Sequence, residues 1–385
     1  MINCSGGFTE GGSTVDHFFN DIDTSNTIDG KHVYCLVNQT GLTVNPSTFP
    51  DAGSLTIANS TGVIVENLTL LHSGMGVAFV YTNDSFIRNV AVSNNTGGYG
   101  IIVGAGINNT VSGCNVSDCF SGVTLSHAIN NTVSDNAITN SDHFGVNLWN
   151  ASLNTIVGND VLNSDWTCVY MESSQNNTFH HNNFVNYSEA RVSGHANVWD
   201  DGVEGNYWSD HAGVDLNLDG IGDIPYVLNV YNVDNRPLMG MYHSYDAMIV
   251  PGTVGLVSNS SVSDFAVAIL IEHPEIRAII FRVSGVSGFG FVRLRIPQEV
   301  VAGPYLVYVD GAEPVYANYN VLTQGNFTWI YLAYLHSEHV IEVVPEFSVL
   351  ALIPLLMVIS LLIVVCKRKR SIDPTNDGTV TAEKL

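Results

Sequence analysis

The chain has 385 residues, too many for one small core at the usual ~150 residues per domain, so two or three domains are expected. Charged residues make up 13% and hydrophobic ones 45%, which excludes a disordered polyelectrolyte. Lys and Arg number 13 against 36 Asp and Glu, and the formal charge of -23 repels DNA, RNA and anionic headgroups, so nucleic acid is not expected as a partner.

The chain opens Met1-Ile2-Asn3-Cys4, with no basic n-region and no apolar h-region. A protein with its bulk outside the membrane needs a leader, so Met1 is expected to be a start inside a longer sequence. Insertion through the C-terminus without a leader is the alternative. Residues 1–59 are turn-rich and predict irregular coils. Residues 17–40 should form a first coil or hairpin that covers the open end, because an exposed parallel edge invites pairing.

Residues 60–196 repeat with a period of 22 to 24. An Asn-Thr pair recurs at Asn109, Asn131, Asn154 and Asn177, each followed by an apolar residue: Val111, Val133, Ile156 and Phe179. Three residues on come Leu68, Val90, Cys114, Asn136, Asn159 and Asn182; two beyond those come Leu70, Val92, Val116, Ile138, Val161 and Phe184. Gly76-Val77, Gly100-Ile101, Gly122-Val123, Gly145-Val146 and Cys168-Val169 close the copies. Short alternating segments between Gly, Asn and Ser turns argue strands, and no segment is long enough for a helix. This period fits one coil of a parallel β-helix, with like residues stacked about 4.8 Å apart. The column from Leu68 to Asn182 becomes an internal ladder whose amides bond from coil to coil. Cys114 is read as a rung of that ladder, and no C-x-x-C pair suggests zinc or redox chemistry.

The coils carry the candidate site. Asp118, Asp142 and Asp165 fall just before the closing turns and are expected to form one exposed acidic column. His143, Trp149, Trp166, Tyr170 and Glu172 lie beside it, and aromatics next to acids suit sugar stacking and hydroxyl recognition. Three readings compete: glycan binding, glycoside hydrolysis by paired carboxylates, and plain Ser-Asp turn chemistry. A uronate lyase needs clustered cations, yet residues 60–200 hold only Arg88 and Arg191, about five coils or roughly 20 Å apart. Copper needs Met, Cys or His together. His180-His181 is the one adjacent pair, and neighbours on a strand point opposite ways, so a copper site is not expected.

Residues 197–245 are expected to cap the coils. Asp215, Asn217, Asp219 and Asp223 stand at loop positions 1, 3, 5 and 9, with Gly220 at the turn and the Ile221 carbonyl at position 7. This oxygen set suits Ca²⁺ in a structural role, although Tyr226 replaces the bidentate Glu; a solvated Asp/Asn turn is the alternative. Beyond this cap Asn becomes rare: 34 of the asparagines precede Arg236. Residues 246–343 predict strands at 262–270, 278–284, 290–296, 304–309, 327–335 and 340–344, a β-sandwich stalk. An uncharged run then opens at Val349 and closes at Cys366, followed by Lys367, Arg368, Lys369 and Arg370. At about 1.5 Å per residue it spans most of a ~30 Å hydrocarbon core. The basic cluster puts residues 367–385 in the cytoplasm and the rest outside. Fourteen N-x-S/T sequons agree with that side, although an Asn-rich chain makes sequons by chance.

Asn26-Thr27-Ile28-Asp29-Gly30-Lys31, the Asn-Thr coils, and Gly205-Asn206-Tyr207-Trp208-Ser209-Asp210 running on to Asp219-Gly220-Ile221-Gly222-Asp223 resemble the NosD-type β-helix proteins. These are similar to the wider group of carbohydrate-binding and sugar-hydrolase β-helices. The resemblance covers about residues 15 to 240. It implies a right-handed parallel β-helix, and either a copper-assembly role like that of the namesake for nitrous-oxide reductase or a surface role like that of archaeal proteins of this layout. Val344-Pro345-Glu346-Phe347 is similar to an archaeal C-terminal sorting signal, but the tail after the basic cluster is longer than that pattern. The sequence thus predicts an all-β, membrane-anchored extracellular chain: a β-helix, a Ca²⁺-type cap, a β-sandwich and one C-terminal transmembrane helix. Its expected partners are the membrane, glycans or surface-layer proteins.

Overall fold

The computed structural model describes residues 14–19, 22–270, 273–312 and 320–346. The expected membrane helix at 349–366 and the tail at 367–385 lie outside these residues. Among the described residues no helix is long and apolar enough to cross a membrane. The chain divides into two compact units, one running to Ser244 and taking in 256–259, the other running from Tyr245 and taking in the remainder.

The first unit is a parallel β-helix. Parallel stacking begins where Lys31–Val37 meets Ala52–Ala58, inside the stretch expected to be irregular, and Thr27–Ile28 closes the start as a small antiparallel hairpin with it. Each coil contributes to a seven-stranded sheet of short strands and to a twelve-stranded sheet. The expected apolar columns are in register. Val65, Ile87, Val111, Val133, Ile156 and Phe179 stack in the first sheet. Leu70, Val92, Val116, Ile138, Val161 and Phe184 stack in the second. All twelve are buried, and each contributes about 1.5–3 kcal/mol by leaving water. Only short strands were expected within each coil. Several coils instead carry one long bent strand, such as Asn115–Ser126 and Asp160–Glu172, with register shifts at the bend.

Polar ladders run through this core. Asn136, Asn159 and Asn182 each donate Nδ2 to the Oδ1 of the next coil's residue at 2.9 Å, ending on Asn206. Cys114 tops that column, its backbone N–H donating to Asn136 Oδ1. A second ladder joins Asn109, Asn131, Asn154, Asn177 and Asn197. These are the asparagines of the Asn-Thr pairs, so that repeated pair is an internal device. Every rung also takes a neighbouring backbone N–H, which satisfies its buried oxygen.

A chain of donors must end on an acceptor. Asn206 Nδ2 and N–H and the Trp208 indole N–H all donate to Asp234 Oδ2, which is fully buried. The other ladder passes to Asn232 Oδ1, which also accepts from Trp199, and Asn232 Nδ2 donates on to Asn229 Oδ1 and to the Gly194 carbonyl oxygen, where it stops. Stacked rings close the coil end: Trp199 on Phe179 at 4.3 Å, and Trp208 on Phe184 at 4.4 Å. Asp210 accepts from the hydroxyls of Tyr187 and Tyr226. The Asn-Tyr-Trp-Ser-Asp stretch is therefore the seam that finishes the solenoid.

The second unit has two groups of antiparallel strands. Ser261–Leu270, His273–Ser284, His339–Pro345 and Tyr305–Val309 pair in that order. Phe289–Pro297, Phe327–Leu335 and Asn320–Gln324 pair in another. Ile279, Phe281, Leu294, Ile330 and Ile341 are buried. The six expected strands are all present, most of them extended by a residue or more.

Candidate functional site

Alternation along the larger sheet sets the outer face of the coils. Val169 and Met171 point in, so Tyr170 and Glu172 point out; Val146 and Leu148 point in, so Trp149 points out. Register then places Trp149 beside Glu172, and Tyr170 beside Arg191. Tyr170 Oη donates to Glu172 Oε2 at 2.8 Å, and that bond is the main cause that raises the phenol above its usual range. The Arg191 guanidinium carbon lies 5.9 Å from the ring centres of both Trp166 and Tyr170, a cation–π distance. His143 meets Trp166 edge-on at 5.4 Å.

Phe120 and Phe144 complete this wall and were not among the expected residues. Phe120 stacks on His143 at 4.2 Å, and Phe144 lies 4.7 Å from Tyr170. The signal for Phe120 is in the repeat: Phe120, His143 and Trp166 each stand two residues before the closing Gly122, Gly145 or Cys168. Trp149 sits along the face from the others, against His127 at 5.6 Å, and is 53% exposed.

The acidic column is corrected. Asp118 stands four residues before its closing Gly122, whereas Asp142 and Asp165 stand three before the closing Gly145 and Cys168. Asp118 therefore enters a different outer ladder, accepting from Asn140, which accepts from Asn163, which accepts from Asn186. Asp142 and Asp165 are exposed on successive coils beside His143 and Trp166. Arg88 pairs with Glu66 on the seven-stranded sheet, so it and Arg191 are on different sheets as well as different coils. Cys114, Cys119 and Cys168 are buried, and burial pushes their thiols up, to about 11, to about 12 and well above the ordinary value.

The five residues of the acidic loop do share one loop. Asp215 accepts from the N–H groups of Asp219 and Gly220, Asp219 from Ile221, and Asp223 from Leu216. Asn217 Nδ2 donates to Asp219 Oδ2 at 3.2 Å, and Ile221 bridges to Leu238. Burial raises the Asp215 carboxyl.

The histidine pair is also corrected. Strand alternation was expected to separate His180 from His181. His181 instead has φ +60°, so the chain turns there and both rings come together, Nδ1 to Nδ1 at 3.1 Å. The same turn position in earlier coils holds Asn89, Gly113, Asp135 and Gly158, each with positive φ. The His181 ring is buried under Tyr242, stacked at 4.1 Å and 8°, and its Nε2 lies 3.0 Å from Glu204 Oε2 and 3.9 Å from Asp201 Oδ2. Asp201 and Glu204 follow the last regular coil, where no period marks them.

Residues 18–213, just over half of the chain, match the family described as periplasmic copper-binding protein (NosD). The chain belongs to the NosD family. The match takes in the coils, the outer wall, the histidine pair and the Asn-Tyr-Trp-Ser-Asp seam. No curated protein matches. Among solved structures, the NosD-family chain is similar to the Dettilon tailspike protein (gp208), with a TM-score of 0.26, 12% identity, and coverage of 80% of this chain and 85% of that one. It is also similar to tailspike protein gp49 of Acinetobacter baumannii bacteriophage Fri1, a capsular polysaccharide depolymerase, with a TM-score of 0.22, 10% identity, and coverage of 76% and 68%.

Proposed function

We propose that this is a cell-surface recognition protein that binds glycans on the outer face of its β-helix and is held to the membrane by residues 349–366. The observation that carries the binding role is the wall of Phe120, His143, Phe144, Trp166 and Tyr170, flanked by Glu172 and Arg191. Ring faces stack on the C–H surfaces of sugars, while the carboxylate and guanidinium meet hydroxyls. Coil stacking presents these groups at the ~4.8 Å strand spacing, which suits a linear polymer lying across the coils. The anchor rests on the sequence alone, and so do sequon glycosylation and calcium at the 215–223 loop, whose carboxylates already serve the loop's own backbone.

The test immobilises the full-length chain in detergent on a glycan and polysaccharide panel, with and without Ca²⁺, and assays reducing ends in the same wells. Retention without new ends is expected, weakened about tenfold by Trp166→Ala and by Tyr170→Ala. Retention unchanged in both variants, or no retention at all, removes the wall from the proposal. New reducing ends that vanish in the doubly substituted Asp142→Asn, Asp165→Asn chain would make it a hydrolase instead.

The family description raises copper. Soft cuprous copper wants thiolate or thioether donors, and Cys114, Cys119 and Cys168 are buried, which raises their thiols above the ordinary value. The donors that do meet are two imidazoles and carboxylates at residues 180–204, a set that fits cupric copper or zinc.

A further inference from the structure

We propose that His180, His181 and Asp201 bind a divalent first-row transition-metal ion at the C-terminal end of the coils, with Glu204 orienting His181. One nitrogen of each ring and one oxygen of Asp201 lie within 4.8 Å of one another. Ligands held about 2.0–2.2 Å from a shared ion fall within that spread. The group is assembled by backbone geometry: the left-handed turn at His181 folds two sequence neighbours onto one point.

The supporting shell is in place. Tyr242 and burial to 3% exposure fix the His181 ring plane. Glu204, also buried, sits on Nε2 at 3.0 Å. A carboxylate on one ring nitrogen holds the proton there and leaves the other nitrogen's lone pair for a metal. That other nitrogen, Nδ1, is the one that faces His180 Nδ1. Asp201 is fixed too, since its Oδ1 accepts from the N–H groups of Val203 and Glu204 at 2.8 and 2.7 Å, while its Oδ2 lies 3.9 Å from His181 Nε2, the nitrogen that Glu204 also meets. Two carboxylates balance a dication. Imidazole with carboxylate suits Zn²⁺ and Cu²⁺, with Cu²⁺ the tighter. Half-buried His180 and exposed Asp201 leave an entry path from solvent. The same contacts would serve a metal-free hydrogen-bond chain from His180 through His181 to Glu204, in which the Asp201 carboxylate is not needed, and that difference makes the idea testable.

The full-length chain, stripped with a chelator and exchanged into detergent buffer, is titrated with Zn²⁺ by calorimetry and with Cu²⁺ by electron paramagnetic resonance. One saturable site is expected, with nitrogen splitting from two imidazoles. His181 and Glu204 are buried, so the deciding variants are the more accessible His180→Ala and Asp201→Asn, each checked for an unchanged circular-dichroism spectrum. Each should weaken Zn²⁺ at least tenfold, and His180→Ala should remove one nitrogen from the Cu²⁺ signal. Asp219→Asn in the acidic loop should change affinity less than twofold. No saturable Zn²⁺ binding, wild-type affinity in both deciding variants, or a loss confined to Asp219→Asn overturns the proposal.

Discussion

Asp234 shows how one residue ends a periodic structure. Asparagine both donates and accepts, so a ladder of asparagines passes its spare donor along until a pure acceptor stops it. Asp234 is that acceptor, and burial pushes its carboxyl from the ordinary 3.8 up to about 6. A raised carboxyl means that between these values the folded chain holds more protons than the unfolded one. Stability therefore falls as pH rises from about 4 to about 6 and is flat above. The shift corresponds to a difference on the order of 2–3 kcal/mol. Asp234→Asn cannot titrate, so the stability of wild type relative to this variant should grow by that order as pH is lowered from 7 to 4. Denaturant unfolding at both pH values measures it, and a gap that stays constant or shrinks on acidification would refute the burial argument. His181 teaches the complementary lesson about reading residues. Strand alternation argued that His180 and His181 diverge, but His181 stands one residue before the Asn182 rung, as the turn residues Gly113 and Gly158 stand before Cys114 and Asn159. Counting along the coil, rather than along a generic strand, would have joined the two rings.

At the scale of the coil, the closing glycines do work that no side chain can share. A Cβ on Gly122 would lie 2.3 Å from Ile138 Cγ2 and 2.6 Å from the Gly145 carbonyl oxygen. The next coil's backbone cannot yield without shearing the sheet, so Gly122→Ala should cost about 1–3 kcal/mol. Cys168 ends this column, its Sγ 3.7 Å from the Glu189 carbonyl oxygen, so Cys168→Ala should cost less than Gly122→Ala. Thermal melts of the two variants test the ordering, and an unperturbed Gly122→Ala chain would show that the coils slide. The glycine column, the apolar columns and the first Asn ladder were legible because stacking demands like residues at a fixed period. The strands of the second unit were legible as apolar runs between turn residues, and most of Phe289–Pro297 and Phe327–Leu335 is buried on both faces. The second Asn ladder was visible as a repeated pair but not as a buried one, since periodicity marks a position without saying which way it faces. Asp118 was misplaced because a one-residue offset in the copy was overlooked. Asp201 and Glu204 belong to no period, so only the folded chain brings them to His181.

Taken as a whole molecule, the chain sets its charge against its proposed ligand. The formal charge of -23 is spread over a chain with lysine absent between residues 32 and 366, so its long-range field repels polyanions. On the wall, Arg191 stands over Trp166 and Tyr170, with Glu172 bonded to Tyr170 in the same patch, so no net positive face collects there. Stacking and hydroxyl contacts to a neutral glycan act at short range and are barely screened, whereas repulsion of an anionic polysaccharide acts over the Debye length of about 10 Å at 0.1 M salt. The wall should therefore bind neutral glycans with affinities that change less than about twofold between 50 and 500 mM NaCl. An anionic polysaccharide of the same backbone should bind more weakly at 50 mM than at 500 mM. Parallel titrations of one neutral polymer and its carboxylated derivative against the full-length chain decide the matter. Tighter capture of the anionic form at low salt would mean that Arg191 outweighs the charge of the whole molecule, and the proposed ligand class would then have to change from neutral to acidic glycans.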